Sequence, residues 1–209
     1  MVQGQTTLTV EEQNEQIRQR WNNSLVGDST YTFNKEVNNL LKQTTDSLNT
    51  GKALCVAMGQ GRNALYLARN GWEVTGFDLA DEAVSSAVEQ AKAEQLDLST
   101  EIASFETYNY GENKWDMITW LYCGCLWTEG LTSKINTALK PGGLFVFEFF
   151  HRDAGLKMNR PEFGCEENEM KQKILDEGGF EILIYEEKEG VADYSLEPYK
   201  LVYMVASKK

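Results

Sequence analysis

Gly59-Gln60-Gly61 and Asp78, which stands 17 residues beyond Gly61, are the residues of this chain whose types and spacing speak most directly of chemistry. The glycines fall where an apolar run, Ala53–Met58, gives way to the helical stretch Asn63–Arg69. Glycine there lets the backbone approach a ligand, and a helix start offers free N–H groups at the positive end of a dipole. Asp78 stands at the end of a second expected strand, Trp72–Phe77. An acid at that place can accept hydrogen bonds from both hydroxyls of an adenosine ribose. Taken singly these are a tight turn and a surface acid; together, in a strand–helix–strand setting, they predict a nucleoside cofactor. Gly59-x-Gly61-x-x-Ala64 also satisfies the dinucleotide fingerprint, so a small NAD(P)-dependent oxidoreductase stays open as an alternative. Against it, the chain has little room for a second nucleotide-binding half.

Two further residues are candidates for catalysis. His151 is the single histidine, placed just after the fifth strand, and imidazole alone has an unperturbed pKa near neutrality. It is a candidate general base or a hydrogen-bonded loop histidine. Tyr122, after the fourth strand, can orient an acceptor or pack against a cofactor. Arg152 and Asp153 suit either a charged ligand or a solvated pair. Cys123-x-Cys125, with Cys165 later, has the softness to hold a thiophilic metal, yet no adjacent Lys, Arg or His lowers the thiol pKa. Buried, inert thiols are expected, and no metal site.

These residues need elements to position them. Thr9 and Glu12 make a capping-box pattern for a helix to about Trp21 with few apolar positions, followed by a turn-like run, Asn22 to Thr30. Phe33, Val37, Leu40, Leu41 and Leu48 recur at helical spacing. Asp81 can cap a helix whose apolar face is Val84, Ala87, Val88 and Ala91. Glu101–Phe105 reads as a weak third strand, Trp115–Tyr122 as a strong fourth, and Leu144–Phe150 as an almost wholly apolar fifth, covered on both faces. Between the last two, a helix ends at Pro141-Gly142-Gly143. A polar loop, His151 to Glu167, precedes a helix with Met170, Ile174 and Leu175. Phe180–Glu187 and Tyr199–Ala206 read as closing strands. Such alternation implies a parallel sheet wrapped by helices, with ligands at the carboxyl ends of the strands.

Composition narrows the partners. The chain has 209 residues and a net charge of −12, which opposes general binding to nucleic acid or to an anionic membrane. At 42% hydrophobic and 11% aromatic, it is rich enough in apolar residues to fold on a core of its own. One histidine rules out a multi-histidine metal centre. No run approaches the roughly 18–20 apolar residues needed to cross a bilayer, and Glu11, Glu12 and Glu15 make the first thirty residues unlike a secretory signal. Four cysteines in a chain of this size need no disulfide framework, so a reduced, cytoplasmic setting is expected.

The run Ala53-Leu-Cys-Val-Ala-Met-Gly-Gln-Gly-Arg-Asn-Ala-Leu-Tyr-Leu-Ala68, with Gly71-Trp-Glu-Val-Thr-Gly-Phe-Asp78, resembles class I S-adenosylmethionine-dependent methyltransferases. It most resembles their small bacterial, tellurite-resistance-type branch. Lys114-Trp-Asp-Met-Ile118 and Leu139-Lys-Pro-Gly-Gly143 fit the same pattern, and the likeness runs over roughly residues 50–150. The resemblance implies that the loop Ala57, Met58, Gly59 to Gly61 cradles the methionine end of the cofactor and that Asp78 holds the ribose. It places Leu79, Ser104 and Phe105 around the adenine, and Leu121 and Tyr122 beside the sulfonium. Cys55 stands where the family carries an acid, Ala57 where it has its first glycine, and Ser104 where an acid is common. The implied fold is a doubly wound, Rossmann-like α/β sheet of seven mostly parallel strands with a closing antiparallel strand. Residues 1–49 are expected to form a helical lid on a methyltransferase domain of residues 50–209, the whole being one structural domain, with Trp21, Tyr31 and Phe33 either folding over the cofactor or packing the extra helices on the sheet. The implied reaction moves a methyl group from S-adenosylmethionine to the oxygen, nitrogen, sulfur or metalloid of a small molecule, leaving S-adenosylhomocysteine. A non-catalytic cofactor-binding module is the alternative, and a monomer or homodimer the expected state.

Overall fold

A computed structural model describes residues 9–27, 32–126 and 128–209. Its seven strands are β1 (Lys52–Val56), β2 (Glu73–Asp78), β3 (Leu98–Ile102), β4 (Trp115–Leu121), β5 (Leu139–Phe150), β6 (Phe180–Val191) and β7 (Pro198–Lys208). They form one sheet in the order β3-β2-β1-β4-β5-β7-β6. The first five strands run parallel, and β7 is antiparallel to both β5 and β6. Strand order reverses between β1 and β4, which opens a crevice at their carboxyl ends.

Helices α3 (Arg62–Arg69), α4 (Asp81–Ala93), α5 (Leu131–Ala138) and α7 (Glu169–Glu177) cross between strands, with a short α6 (Arg152–Lys157) after β5. Covering the sheet buries Phe77, Trp115, Trp120, Phe145, Phe147 and Phe150 completely. The apolar character of the central strands follows from this burial on both faces. The edges differ: β3 and β6 are largely exposed, and the Glu186–Glu189 stretch charges the β6 rim against pairing with another chain. Among the described residues no helix is long and apolar enough to cross a membrane.

The amino-terminal segment supplies α1 (Val10–Leu25) and α2 (Asn39–Thr45). The capping box is formed, with Thr9 N–H donating to Glu12 Oε2 at 2.8 Å and Glu12 N–H to Thr9 Oγ1 at 3.2 Å. The helix runs one turn past Trp21, into the expected turn, because Asn22 near its end meets α4. Asn22 Nδ2–H donates to Asp81 Oδ1 at 2.8 Å, and Glu82 N–H donates to Asn22 Oδ1 at 3.2 Å. Asp81 is therefore the first helical residue rather than its own cap; the N-cap position is Ala80, and Asn22 serves the exposed N–H from another helix. Only residues 39–45 of the helical spacing around Phe33–Leu48 coil, starting at the Asn38 cap, whose Oδ1 accepts from Leu41 N–H at 3.1 Å.

Other boundaries move for identifiable reasons. β3 lies at Leu98–Ile102, three residues earlier than expected, because its pairing with β2 runs from Val74↔Leu98 to Asp78↔Ile102. The expected polar loop after His151 contains α6, which His151 Nδ1 caps by accepting from Asp153 N–H at 3.1 Å. Its Gly155 is a close-contact residue and not a loop signal: a Cβ there would stand 2.0 Å from Phe163 O. β5 begins at Leu139, upstream of the Pro-Gly-Gly, and the closing strands extend through Val191 and Lys208.

Candidate functional site at the carboxyl edge of the sheet

The chain leaves β1 through three residues in left-handed backbone: Ala57 at φ +48°, Gly59 at +54° and Gly61 at +80°. Ala57 occupies that region without glycine's freedom, at a cost of about 1–2 kcal/mol. At Gly61 a Cβ would meet Ala87 Cβ at 2.8 Å, so this glycine lets α3 and α4 approach. Met58 N–H donates to Phe77 O at 3.0 Å, and the Met58 thioether sits over Gly76 of β2. Gly59 N–H donates to Asp78 Oδ2 at 2.8 Å, and Ala80 N–H donates to Asp78 Oδ1 at 2.9 Å. Turn and acid are thus one structure.

Asp78 is buried; burial pushes its pKa up, opposed by the N–H groups of Ala80, Gly59 and Leu79. Each carboxylate oxygen that accepts one of these bonds has a further lone pair for a hydroxyl donor. That pair of acceptors fits the vicinal hydroxyls of a ribose. Phe105, partly buried, lies near the same strand end, with ring centroids 6.5 Å from Phe77 and 4.7 Å from Trp120. It offers an apolar face to a base. Ser104 is buried, and its hydroxyl is engaged in a local turn with Thr107. Leu79 is partly exposed beside Asp78, and Leu121 ends β4. Cys55 is enclosed within β1; burial pushes its thiol up to about 12, so it stays protonated and carries no charge toward the turn.

A second cluster lies where β4 and β5 end. Tyr122 takes left-handed backbone at φ +63°, its N–H donating to Glu148 O at 2.8 Å. Its hydroxyl donates to Glu148 Oε1 at 2.8 Å and accepts from Asp193 N–H at 3.0 Å. Glu148 belongs to the strand expected to be almost wholly apolar, and it is 3% exposed. Burial pushes its pKa up to about 7, against the hydrogen bonds from Asn38 and Tyr122. Burial and the same carboxylate push the Tyr122 phenol up. Asp193, in the connection between β6 and β7, pairs with Arg62 at the start of α3. It also accepts from Asn34 Nδ2 at 2.8 Å and Asn38 Nδ2 at 2.9 Å. Sequence reading missed Glu148, Asp193, Arg62 and Asn38; the one available signal was a lone acid inside an aromatic strand, which demands partners.

The amino-terminal segment and the β6–β7 connection meet over this cluster. Asn34 N–H donates to Asp193 O at 2.8 Å, Ser195 N–H donates to Thr32 O at 2.7 Å, and Phe33 bridges Tyr194. The Tyr194 ring packs 5.0 Å from Tyr122, 4.8 Å from Phe33 and 6.2 Å from Trp21. Leu25 of α1 reaches to within 3.4 Å of the Cβ position of Gly59. Trp21 and Phe33 both pack against Tyr194 there, while Tyr31 lies outside the described residues.

His151 is brought to a different neighbourhood. It is 3% exposed, bonded through Nδ1 to α6, with Nε2 lacking a hydrogen-bond partner and 3.5 Å from Glu187 Oε2 of β6. The cysteines need correction. Cys125 and Cys165 form a disulfide with a Cα separation of 5.6 Å, where four free thiols were expected. Cys165 N–H donates to Phe150 O, which lays its loop beside β5, while Cys125 follows the neighbouring β4. Cys123 remains free, its thiol pushed up by burial and by the Asp78 carboxylate, so it is no thiolate ligand. Among the described residues Cys125, Cys165 and Glu169 converge as metal-ligating types, but the disulfide consumes both sulfurs.

A family profile described as a methyltransferase domain matches residues 53–143. TehB of Haemophilus influenzae, called a probable S-adenosyl-L-methionine-dependent methyltransferase, is 36% identical over 62 residues, 30% of this chain and 22% of its own length. A protein of Eikenella corrodens called hemagglutinin 1 is 25% identical over 156 residues, 72% of this chain and 51% of its own. The chain therefore spans about half or less of these curated relatives. Among solved structures, one described as the conversion of a disulfide bond into a thioacetal group during echinomycin biosynthesis superimposes with a TM-score of 0.74 at 16% identity, covering 92% of each chain. TehB of Haemophilus influenzae superimposes with a TM-score of 0.68 at 24% identity, over 83% of this chain and 63% of that one. At these identities the superpositions show the fold.

Proposed function

We propose that the chain is a class I S-adenosylmethionine-dependent methyltransferase and that it methylates a small molecule, a reading supported by the methyltransferase-domain match over residues 53–143 and the likeness to TehB. One observation carries the reading: the bond from Gly59 N–H to the Asp78 carboxylate, which sets a ribose-binding acid directly on the glycine turn. Asp78 would hold the ribose, the backbone of Ala57 to Gly61 the methionine end, and Leu79 and Phe105 the adenine. Bound there, S-adenosylmethionine supplies an activated methyl carbon. The protein's part is to align an acceptor with that carbon and exclude water. Leu25, Phe33 and Tyr194 cover this end of the sheet and support the exclusion. The net charge of −12 favours a small acceptor over a nucleic acid.

The dinucleotide alternative fits less well, since β7 runs antiparallel where a second nucleotide-binding half would continue the parallel sheet. Calorimetric titration with S-adenosylmethionine, S-adenosylhomocysteine and NADH is the test. Both sulfur ligands should bind, NADH should not, and Asp78→Ala should weaken binding at least tenfold. Binding of NADH alone would refute the proposal. Binding of the sulfur ligands without turnover on any thiol, phenol, amine or metalloid oxyanion would favour the non-catalytic module.

A further inference from the structure

We propose that Tyr122 and Glu148 form a proton path for the methyl acceptor, and that this acceptor is a neutral molecule carrying an O–H or N–H group rather than an oxyanion. The inference rests on the methyltransferase reading and deepens it. A phenol oxygen can donate one hydrogen bond and accept two. Tyr122 Oη donates to Glu148 Oε1 at 2.8 Å and accepts from Asp193 N–H at 3.0 Å, which leaves one lone pair for a proton from a bound molecule. The Asp193 N–H and the Glu148 carboxylate fix the direction of the Tyr122 O–H bond.

The transfer balances. The acceptor atom bonds to the methyl carbon of S-adenosylmethionine, and the electron pair of the breaking carbon–sulfur bond stays on sulfur. The acceptor proton passes to Tyr122 Oη, and the Tyr122 proton passes to Glu148, whose carboxylate becomes the neutral acid. On this path Tyr122 would be the catalytic residue, its Oη taking the proton directly from the acceptor. Glu148 is the positioning residue behind it and the final seat of the proton.

Burial supports this assignment, since it raises Glu148 to about 7, where a carboxylate is both available and basic enough to matter. The groups facing Glu148 are Tyr122 from β4, Asn38 at the α2 cap, Asp193 from the β6–β7 connection, Arg62 from α3 and Tyr203, its cross-strand partner on β7. The one cation among them, Arg62, is already paired with Asp193. Asp78 and Glu148 therefore leave this end of the sheet negative, which repels an anionic acceptor. Tyr194, packed on Tyr122, Phe33 and Trp21, makes the surroundings of the Tyr122 ring aromatic, which suits an apolar acceptor.

The experiment uses the full chain with S-adenosylmethionine, after calorimetry has established that this ligand binds. Labelled-methyl transfer is measured to phenol, catechol and aniline, and to tellurite and selenite. A neutral probe should be methylated, with kcat rising with pH through neutrality. Glu148→Gln and Tyr122→Phe should each lower kcat about a hundredfold, flatten that rise, and leave the KM for S-adenosylmethionine within about twofold. Independently of turnover, carboxyl carbon NMR should show Glu148 titrating near neutrality, with its midpoint moved by Tyr122→Phe. Methylation of tellurite or selenite with all neutral probes untouched would overturn the proposal, as would no turnover of any neutral probe by the ligand-bound protein. A Glu148→Gln enzyme with the wild-type pH profile would reduce Glu148 to a structural peg. Failure to bind S-adenosylmethionine would instead fell the underlying function.

Discussion

Glu148→Gln takes one ionisable group out of a buried cluster while keeping an oxygen that can accept the Tyr122 hydroxyl. In the folded chain burial moves this carboxyl from its ordinary 4.5 to about 7. The folded state then holds a proton that the unfolded chain releases. Glu148's contribution to stability is full below about pH 4.5 and is lost as pH rises through about 7. At about 1.4 kcal/mol per pH unit the whole displacement amounts to about 3 kcal/mol, of which about 2.5 falls between pH 5 and 8. The side chain is 3% exposed, so solvent screening removes little of it. Glutamine carries no such charge. Urea unfolding of both proteins at pH 5, 6, 7 and 8 should show the variant gaining on the wild type by about 2.5 kcal/mol across that range. Taking the difference at each pH cancels the groups common to both. A difference that stays flat means that the folded-state pKa of Glu148 is not raised, either because the carboxyl titrates as an exposed one does or because Arg62 and the Asn38 amide stabilise the carboxylate so that its titration lies below pH 5, and the reasoning from burial fails.

Ala57→Gly should stabilise the chain by about 0.5–1 kcal/mol, the relief of left-handed strain less the added freedom of the unfolded glycine; a thermal unfolding midpoint that drops would count against strain at φ +48°. Reducing the Cys125–Cys165 bond, which spans a sequence separation of 40, should cost about 4 kcal/mol by loop-closure entropy. The urea midpoint should fall with reductant, and a Cys125→Ser/Cys165→Ser protein should show the lower value with or without it. Equal midpoints under all conditions would show that the bond contributes nothing.

The glycine turn and Asp78 were legible because their chemistry is local. Left-handed backbone selects glycine at 59 and 61, and β2, with Val74 and Phe77 among its buried residues, ends on Asp78 itself. The sheet was legible for the same reason, each central strand being a short apolar segment. What sequence could not supply was the cluster around Glu148. Arg62 and Asp193 are 131 residues apart and meet only because the β6–β7 connection returns to the start of α3. A carboxylate in an aromatic strand announces that it needs partners without saying which. The cysteines failed similarly, since spacing does not reveal pairing, and only the loop alongside β5 brings Cys165 to Cys125. At Asp81 the propensity was right and the geometry was not: the cap comes from Asn22, 60 residues before Glu82.

The clasp between residues 32–38 and the β6–β7 connection has a consequence for how this chain can change. Phe33 bridges Tyr194, and Asn34 and Asn38 both bind Asp193. The cover of the Tyr122–Glu148 cluster is therefore composed from two stretches far apart in the sequence that must match one another, residue for residue. A chimera that exchanged only one of these stretches with a relative would break the pairing and strand two buried carboxylates; exchanging both would transplant the cover intact. On the proposed function, variation in acceptor choice should arise in paired steps, with residues 32–38 and the β6–β7 connection changing together while the sheet between them stays as it is.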